Sequence, residues 1–233
     1  MAARKDARIK VTKDGPYIVT GNVPLIKEAA IRGKDGVPYE WRKLHEYEER
    51  GTYSLCRCGR SGDAPYCDGT HTKIGFDGTE TADMKLYKER SKLIEGPTVD
   101  LVDTTDLCVG AQFCHRAGGV WKLVAHSDEG NKRDLAIEIS GNCPAGRLET
   151  CEKGSGEKVE PPFEMSISVT EDPGRKASGP LWVKGGIPIE SAEGIMYEPR
   201  NRVTLCRCGR SFKMPYCDGT HLRTGFKDGD KHI

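Results

Sequence analysis

The sequence predicts an α+β chain in which one strand-and-loop unit occurs twice, with a small α+β insert between the copies. Three observations carry this. The stretch Cys56-Arg57-Cys58, eight residues, then Cys67-Asp68-Gly69-Thr70-His71 recurs as Cys206-Arg207-Cys208, eight residues, then Cys217-Asp218-Gly219-Thr220-His221. Upstream of it, Gly15-Pro16-Tyr17-Ile18-Val19-Thr20-Gly21 returns as Gly179-Pro180-Leu181-Trp182-Val183-Lys184-Gly185, and Gly36 to Glu40 returns as Gly194 to Glu198. The segment between matches neither copy and alternates strand-like with helix-like periodicity. The expected division is 1–80 for the first repeat, 81–161 for the insert and 162–233 for the second repeat.

Residues 8 to 20 read as a hairpin. Ile9 and Val11 alternate with polar neighbours, Lys13-Asp14-Gly15 turns the chain, and Tyr17-Ile18-Val19 returns. The first copy then carries an extra polar stretch from Arg42 to Gly51, with Trp41 and His45, which reads as a solvated excursion. In each metal motif Pro65 or Pro215 stiffens the loop before the third cysteine. Asp68 and Asp218 read as N-caps of short helices closed by Gly75 and Gly225. In the insert, Val99 to Val102 reads as a strand and a helix is expected to start near Thr104. Lys132 to Ile139 reads as a helix with Leu135, Ala136 and Ile139 on one face. A turn at Gly154-Ser155-Gly156 and a break at Glu160-Pro161-Pro162 precede the strand-like Ile167 and Val169.

Composition bounds the partners. Lys and Arg number 36 against 35 Asp and Glu, a net charge of +1, so no global field draws nucleic acid or an anionic membrane. No apolar run approaches the roughly 20 residues that span a bilayer, and Met1 to Asp6 holds no apolar leader segment. The expectation is a cytoplasmic protein without a membrane partner. Six of the ten cysteines lie in the two motifs, which fits a reducing compartment better than a disulfide framework. With 36% hydrophobic residues, 28 Gly and 13 Pro, the core is thin and gains from metal staples.

Each motif offers three thiolates and one imidazole within 16 residues. Soft sulfur donors completed by one nitrogen suit zinc or an iron-sulfur cluster, and suit magnesium or calcium poorly. Structural zinc sites usually space their cysteines as C-x2-4-C, whereas here the first pair is C-x-C. Two donors at each of two positions fit a 2Fe-2S rhomb as well as a single ion. A helix beginning at the motif places His71 and His221 in its first turn, where the dipole disfavours imidazolium.

At these residues the sequence resembles the CDGSH iron-sulfur (mitoNEET-like) family. Its pattern C-x-C-x2-S-x3-P-x-C-D-G-S-H is met by Ser61, Pro65 and Cys67 to His71, and again by Ser211, Pro215 and Cys217 to His221. Thr70 and Thr220 replace its serine and keep the hydroxyl. The resemblance implies a 2Fe-2S cluster in each motif, with Cys56 and Cys58 on the inner iron and Cys67 and His71 on the outer. In the second motif Cys206 and Cys208 would take the inner iron and Cys217 and His221 the outer. It also implies strands intertwined into a β-cap, here within one chain as a pseudo-twofold monomer, with Ile18, Val19, Trp182, Val183, Ile187 and Ile189 in its core. In the insert, Cys108-x5-Cys114 with Cys143-Pro144 resembles a divergent single-cluster ferredoxin segment, so a third cluster at Cys108, Cys114 and Cys143 is a further expectation. Cys151 fits no ligand position, and His115 is a conceivable substitute ligand.

One histidine among four ligands should set the potential between plant-type ferredoxins and two-histidine Rieske centres, from about −400 mV to somewhat above zero. Protonation of His71 or His221 competes with iron, so acid should loosen the cluster and favour its transfer. Arg57, Arg60, Arg207 and Arg210 stand beside the ligands, either to stabilise the sulfides or as solvated charges. No paired nucleophile and base, phosphate loop or dinucleotide fingerprint is present. The expectation is an electron-transfer or cluster-carrier protein working with a redox partner or an apo-acceptor, not an enzyme. The alternatives are a zinc-stapled interaction module and a cluster-dependent redox enzyme.

Overall fold

The computed structural model describes residues 6–230; most of the segment read above for a leader, Met1 to Lys5, and His232 lie outside them. The first repeat runs through β1 (Arg8–Val11), β2 (Tyr17–Thr20), β3 (Leu25–Arg32), β4 (Pro38–Glu46) and β5 (Thr52–Leu55) into α1 (Thr70–Lys73). The insert contains α2 (Tyr87–Arg90), β6 (Lys92–Ile94), β7 (Val99–Asp103), α3 (Val120–Ala125), α4 (Lys132–Gly141), β8 (Leu148–Glu152) and β9 (Lys158–Val159). The second repeat follows with β10 (Ser166–Asp172), β11 (Ala177–Lys184), β12 (Ile189–Glu190), β13 (Arg202–Leu205) and α5 (Thr220–Arg223).

Each repeat opens with a hairpin. β1 and β2 pair antiparallel with Ile9 opposite Val19 and Val11 opposite Tyr17, and the period of two turns these four side chains to one buried face. β10 and β11 form the counterpart. The next strand of each repeat then crosses to the other repeat. β3 lies parallel to β10, with Leu25 opposite Ile167, and β12 lies parallel to β1, with Ile189 opposite Ile9. Of the resulting sheets, β12-β1-β2-β5 contains one strand of the other half, β12, and β13-β11-β10-β3-β4 contains two, β3 and β4. The expected pseudo-twofold β-cap is therefore closed within a single chain. Because β12 is only two residues long, its ladder is weak, and packing holds it in place. Burial of Ile187 and Ile189 in the common core stabilises the crossing by about 1.5–3 kcal/mol per side chain.

Two residues expected in this core lie outside it. Ile18 alternates away from Tyr17 and Val19 and is half-buried. Trp182 is buried on the opposite face of β11, against Trp41 at 5.2 Å and Phe163 at 5.4 Å between ring centres. The supposed excursion after Trp41 is also corrected. Through Glu46 it is the edge strand β4, with Arg42 opposite Ala29 and His45 opposite Lys27. An edge strand with one solvated face carries charges that read as loop in sequence.

The insert is a four-stranded sheet, β6-β7-β8-β9, packed with α3 and α4 around Leu101, Val120, Val124, Ala136, Ile139 and Leu148. The helix expected from Thr104 is one 3-10 turn, Thr105–Leu107. Arg202 at the start of β13 pins the insert to the second repeat: its guanidinium donates to the carbonyls of Ser140 (2.6 Å), Cys143 (3.0 Å) and Leu148 (2.9 Å) and pairs with Glu160. From the other side Trp41 stacks on Phe113 at 4.9 Å and donates to the Asn142 carbonyl at 3.1 Å. No helix among the described residues is long and apolar enough to cross a membrane.

Candidate metal centres

β5 and β13 run directly into the two motifs. The amide of Cys56 donates to the Pro65 carbonyl and that of Cys67 to the Ser54 carbonyl, both at 2.9 Å. Cys206 and Cys217 repeat this with Pro215 (2.8 Å) and Thr204 (2.9 Å). These bonds fold each loop back on its own strand and return the third cysteine to the first pair. Ser61 and Ser211 close the loops by donating to the carbonyls of Tyr66 and Tyr216, each at 2.6 Å.

The aspartates act one position earlier than expected. α1 and α5 are preceded by Gly69 and Gly219 at the cap, without a side-chain cap bond. The Asp68 carboxylate instead accepts from the amides of Gly62 (2.8 Å) and Thr70 (2.9 Å), and Asp218 from Phe212 (3.0 Å) and Thr220 (2.9 Å). Each aspartate thus ties the two arms of its loop together. The bonds hold Asp68 below the ordinary carboxylate range, and hold Asp218 there against its burial.

The donors meet in pairs. Cys56 and Cys58 sulfurs are 3.8 Å apart, and those of Cys206 and Cys208 are 3.6 Å apart. Cys67 Sγ lies 3.3 Å from His71 Nδ1, and Cys217 Sγ lies 3.3 Å from His221 Nδ1. Two metal–thiolate bonds of about 2.3 Å at a tetrahedral angle span about 3.8 Å, and a thiolate with an imidazole slightly less. Each pair therefore has the bite of one tetrahedral metal. Among the described residues no three such donors close on a single point.

Without a cation four of these sulfurs, Cys58, Cys67, Cys208 and Cys217, resist ionisation. Burial, then the neighbouring Cys56, pushes Cys58 up to about 11. Burial raises Cys67, and burial with Cys206 raises Cys217 well above the usual thiol value. The sulfur–sulfur hydrogen bond between Cys206 and Cys208 lowers Cys206 and, with burial, raises Cys208. Such a set binds a cation with release of protons. Backbone amides already face the sulfurs: Gly219 N–H points at Cys217 Sγ at 3.4 Å.

The two loops meet back to back. Gly59 and Gly209 have φ of 70° and 71°. A Cβ on Gly59 would fall 2.6 Å from the Cys208 carbonyl oxygen, and one on Gly209 would fall 2.4 Å from that of Cys58. Only glycine meets both the conformation and the contact.

The outer pairs differ in cover. Cys67 and His71 are half-buried, whereas Cys217 and His221 are each only 4% exposed. The insert supplies that cover: Leu107, Val109 and Ala145 form one apolar cluster with Cys217, and Cys143 packs at its edge. Burial, with Arg207 and Arg175 nearby, brings His221 down to about 4 and keeps its ring neutral.

The family described as an iron-binding zinc finger of CDGSH type matches residues 14–72 and again residues 178–222. A second family, described as a divergent 4Fe-4S mono-cluster, matches residues 94–153. The chain is a tandem CDGSH protein with a divergent 4Fe-4S-type insert. No curated protein matches it. Iron-sulfur binding is thus a property of its families, and the donor pairs of both CDGSH repeats fit such a group.

In the insert, burial, then Cys143, pushes Cys114 up to about 12, with Cys108 adding to the effect. These three thiols are neighbours, while Cys151 sits apart in β8 opposite Asp100. His115 turns its ring edge to Trp121 at 6.2 Å, His126 pairs with the exposed Glu129, and His45 packs on Tyr47.

Sequence reading missed the depth of the motif arginines. Arg57 and Arg207 are buried at 1% and 3% exposure. Their Nε groups donate to the carbonyls of Gly15 and Gly179, each at 2.7 Å, and their Nη2 groups to Thr12 and Thr170, each at 2.8 Å. The signal was the same arginine between two candidate ligands in both copies.

Proposed function

We propose that the chain carries a 2Fe-2S cluster in each CDGSH repeat and serves one-electron transfer. Cys56, Cys58, Cys67 and His71 would hold the first, and Cys206, Cys208, Cys217 and His221 the second. The observation that supports this is the division of each donor set into two bites of one tetrahedral metal. A cluster bound there would supply reversible one-electron chemistry with one imidazole among its ligands. The protein's own residues position the thiolates through Ser61, Asp68 and their counterparts, and keep water from the inner pairs by burial.

The half-buried His71 favours the first repeat as the place where a redox partner docks, or where a cluster passes to an apo-acceptor as pH falls. The three insert thiols Cys108, Cys114 and Cys143 would serve a third iron-sulfur cluster. We read residues 1–80, 81–161 and 162–233 as the three units. One chain completes both halves of the β-cap, which favours a monomer. No feature among the described residues favours a substrate-converting enzyme over a carrier.

The test is pulsed EPR of dithionite-reduced protein grown with 15N-histidine. Nitrogen coupling at both clusters is expected, each lost in the corresponding His→Cys variant; a reduced cluster without histidine nitrogen coupling would refute the ligand assignment.

A further inference from the structure

The two motif arginines occupy equivalent sockets with different charges around them. Arg207 is paired to Glu171 at 2.8 Å and to Asp228. In the first repeat the residue that follows Thr12, as Glu171 follows Thr170, is Lys13. The residue two past Phe76, as Asp228 is two past Phe226, is Gly78. Neither position carries a carboxylate, although Asp14 places one on the Gly78 amide at 2.9 Å without forming an ion pair with Arg57. A Cβ at Gly78 would fall 2.1 Å from Arg57 Nη2, so the guanidinium fills the space that a side chain would take. Among the described residues Arg57 makes no ion pair, and its buried Nη1 has no hydrogen-bond partner. Asp77 feels this guanidinium but turns to the amide and hydroxyl of Thr79.

Resting on the two-cluster reading above, we infer that the repeats are inequivalent redox sites. The Cys56–His71 site is the higher-potential, outward-facing one, and the Cys206–His221 site is the lower-potential one, covered by the insert. Adding an electron makes a site more negative. The unpaired Arg57 charge stabilises that state in the first repeat, while Glu171 and Asp228 offset Arg207 in the second. Burial of Cys217 and His221 beneath Val109 and Ala145 acts in the same direction, since it removes the water that would solvate the added charge. Arg175, the other cation near His221, is itself paired with Asp172 at 2.7 Å. The first electron taken from a one-electron donor such as reduced methyl viologen, which is oxidised in the exchange, therefore rests at the first site while the second stays oxidised. The insert's Cys143 packs against the apolar group that contains Cys217, and Gly59 lies against Cys208, which arranges the three cysteine sets in the order insert, second site, first site.

The experiment is a spectroelectrochemical titration of the intact, cluster-loaded chain, with histidine modification by diethyl pyrocarbonate as a second readout. Two separate one-electron CDGSH waves are expected. Glu171→Gln and Asp228→Asn should each move only the more negative wave upward, and Lys13→Glu should move only the more positive wave downward. His71 should be modified well before His221. Glu171→Gln and Lys13→Glu keep the test open if Asp228→Asn fails to fold. Coincident waves, or movement of the more positive wave by Glu171→Gln, would overturn the inference while leaving two clusters in place; a chain that takes up no iron-sulfur cluster would overturn the reading beneath it as well.

Discussion

Arg202 of the second repeat reaches across to Glu160 at the end of the insert, and its guanidinium fills the remaining space with bonds to carbonyls of α4, the Cys143 turn and β8. This one side chain couples the insert to the strand that leads into the second metal loop.

Arg202→Met should therefore cost about 3 kcal/mol or more, because it leaves a partly buried carboxylate and several buried carbonyls without their donor. Urea denaturation will read the loss as a lower midpoint. Limited proteolysis should cut first between residues 81 and 161, with the β-cap surviving longer.

Gly59→Ala and Gly209→Ala press a methyl into the opposite loop at a positive φ. Each is expected to destabilise by about 1–3 kcal/mol, measured by denaturant midpoint. Gly75→Ala also sits at positive φ, but a Cβ there meets no atom within 4 Å, so it should cost less. Equal losses at Gly59 and Gly75 would show that the loop-to-loop contact carries no weight.

Asp103 supplies a pH dependence remote from the motif ligands. Burial alone would raise its carboxyl, but bonds from Arg147 (2.7 and 2.8 Å) and Trp121 (3.1 Å) outweigh burial and hold it below the ordinary value. A depressed folded value stabilises fully above the unfolded carboxylate value of about 3.9 and is lost as pH falls through the folded one. The stability gap between wild type and Asp103→Asn, measured in urea, should be largest near pH 7 and narrow below pH 4. A gap that widens in acid would contradict the assignment.

His71→Cys and His221→Cys should each lower the potential of their own site by making its ligand set more negative. Voltammetry of the single variants should show one wave displaced and the other unmoved. Displacement of both waves by one substitution would mean that the sites do not titrate independently.

Much of this was legible in the sequence because it is local. A motif repeated residue for residue, and strands alternating as Ile9 and Val11 or Tyr17 and Val19 do, declare themselves within a few positions. What stayed hidden depends on partners distant in the chain. The polar face of β4 looked like loop until Ala29 lay opposite Arg42. Trp182 read as cap core because a β-strand buried on both faces shows no alternation to separate its sides; the second face is covered by Trp41 and Phe163. The difference between the two candidate metal sites comes from Val109 and Ala145 of the insert, and from Gly78 standing where the second repeat has Asp228. Neither is visible within a motif that is otherwise the same in both copies.

The central claim, two histidine-ligated 2Fe-2S sites, is tested most directly by assaying iron, acid-labile sulfide and zinc per chain, with the visible spectrum, on protein purified without added metal. The account predicts a coloured protein with about four irons and four sulfides from the two CDGSH repeats, and more only if Cys108, Cys114 and Cys143 also hold a cluster. Stoichiometric zinc in a colourless protein that fails anaerobic reconstitution with iron and sulfide would contradict it.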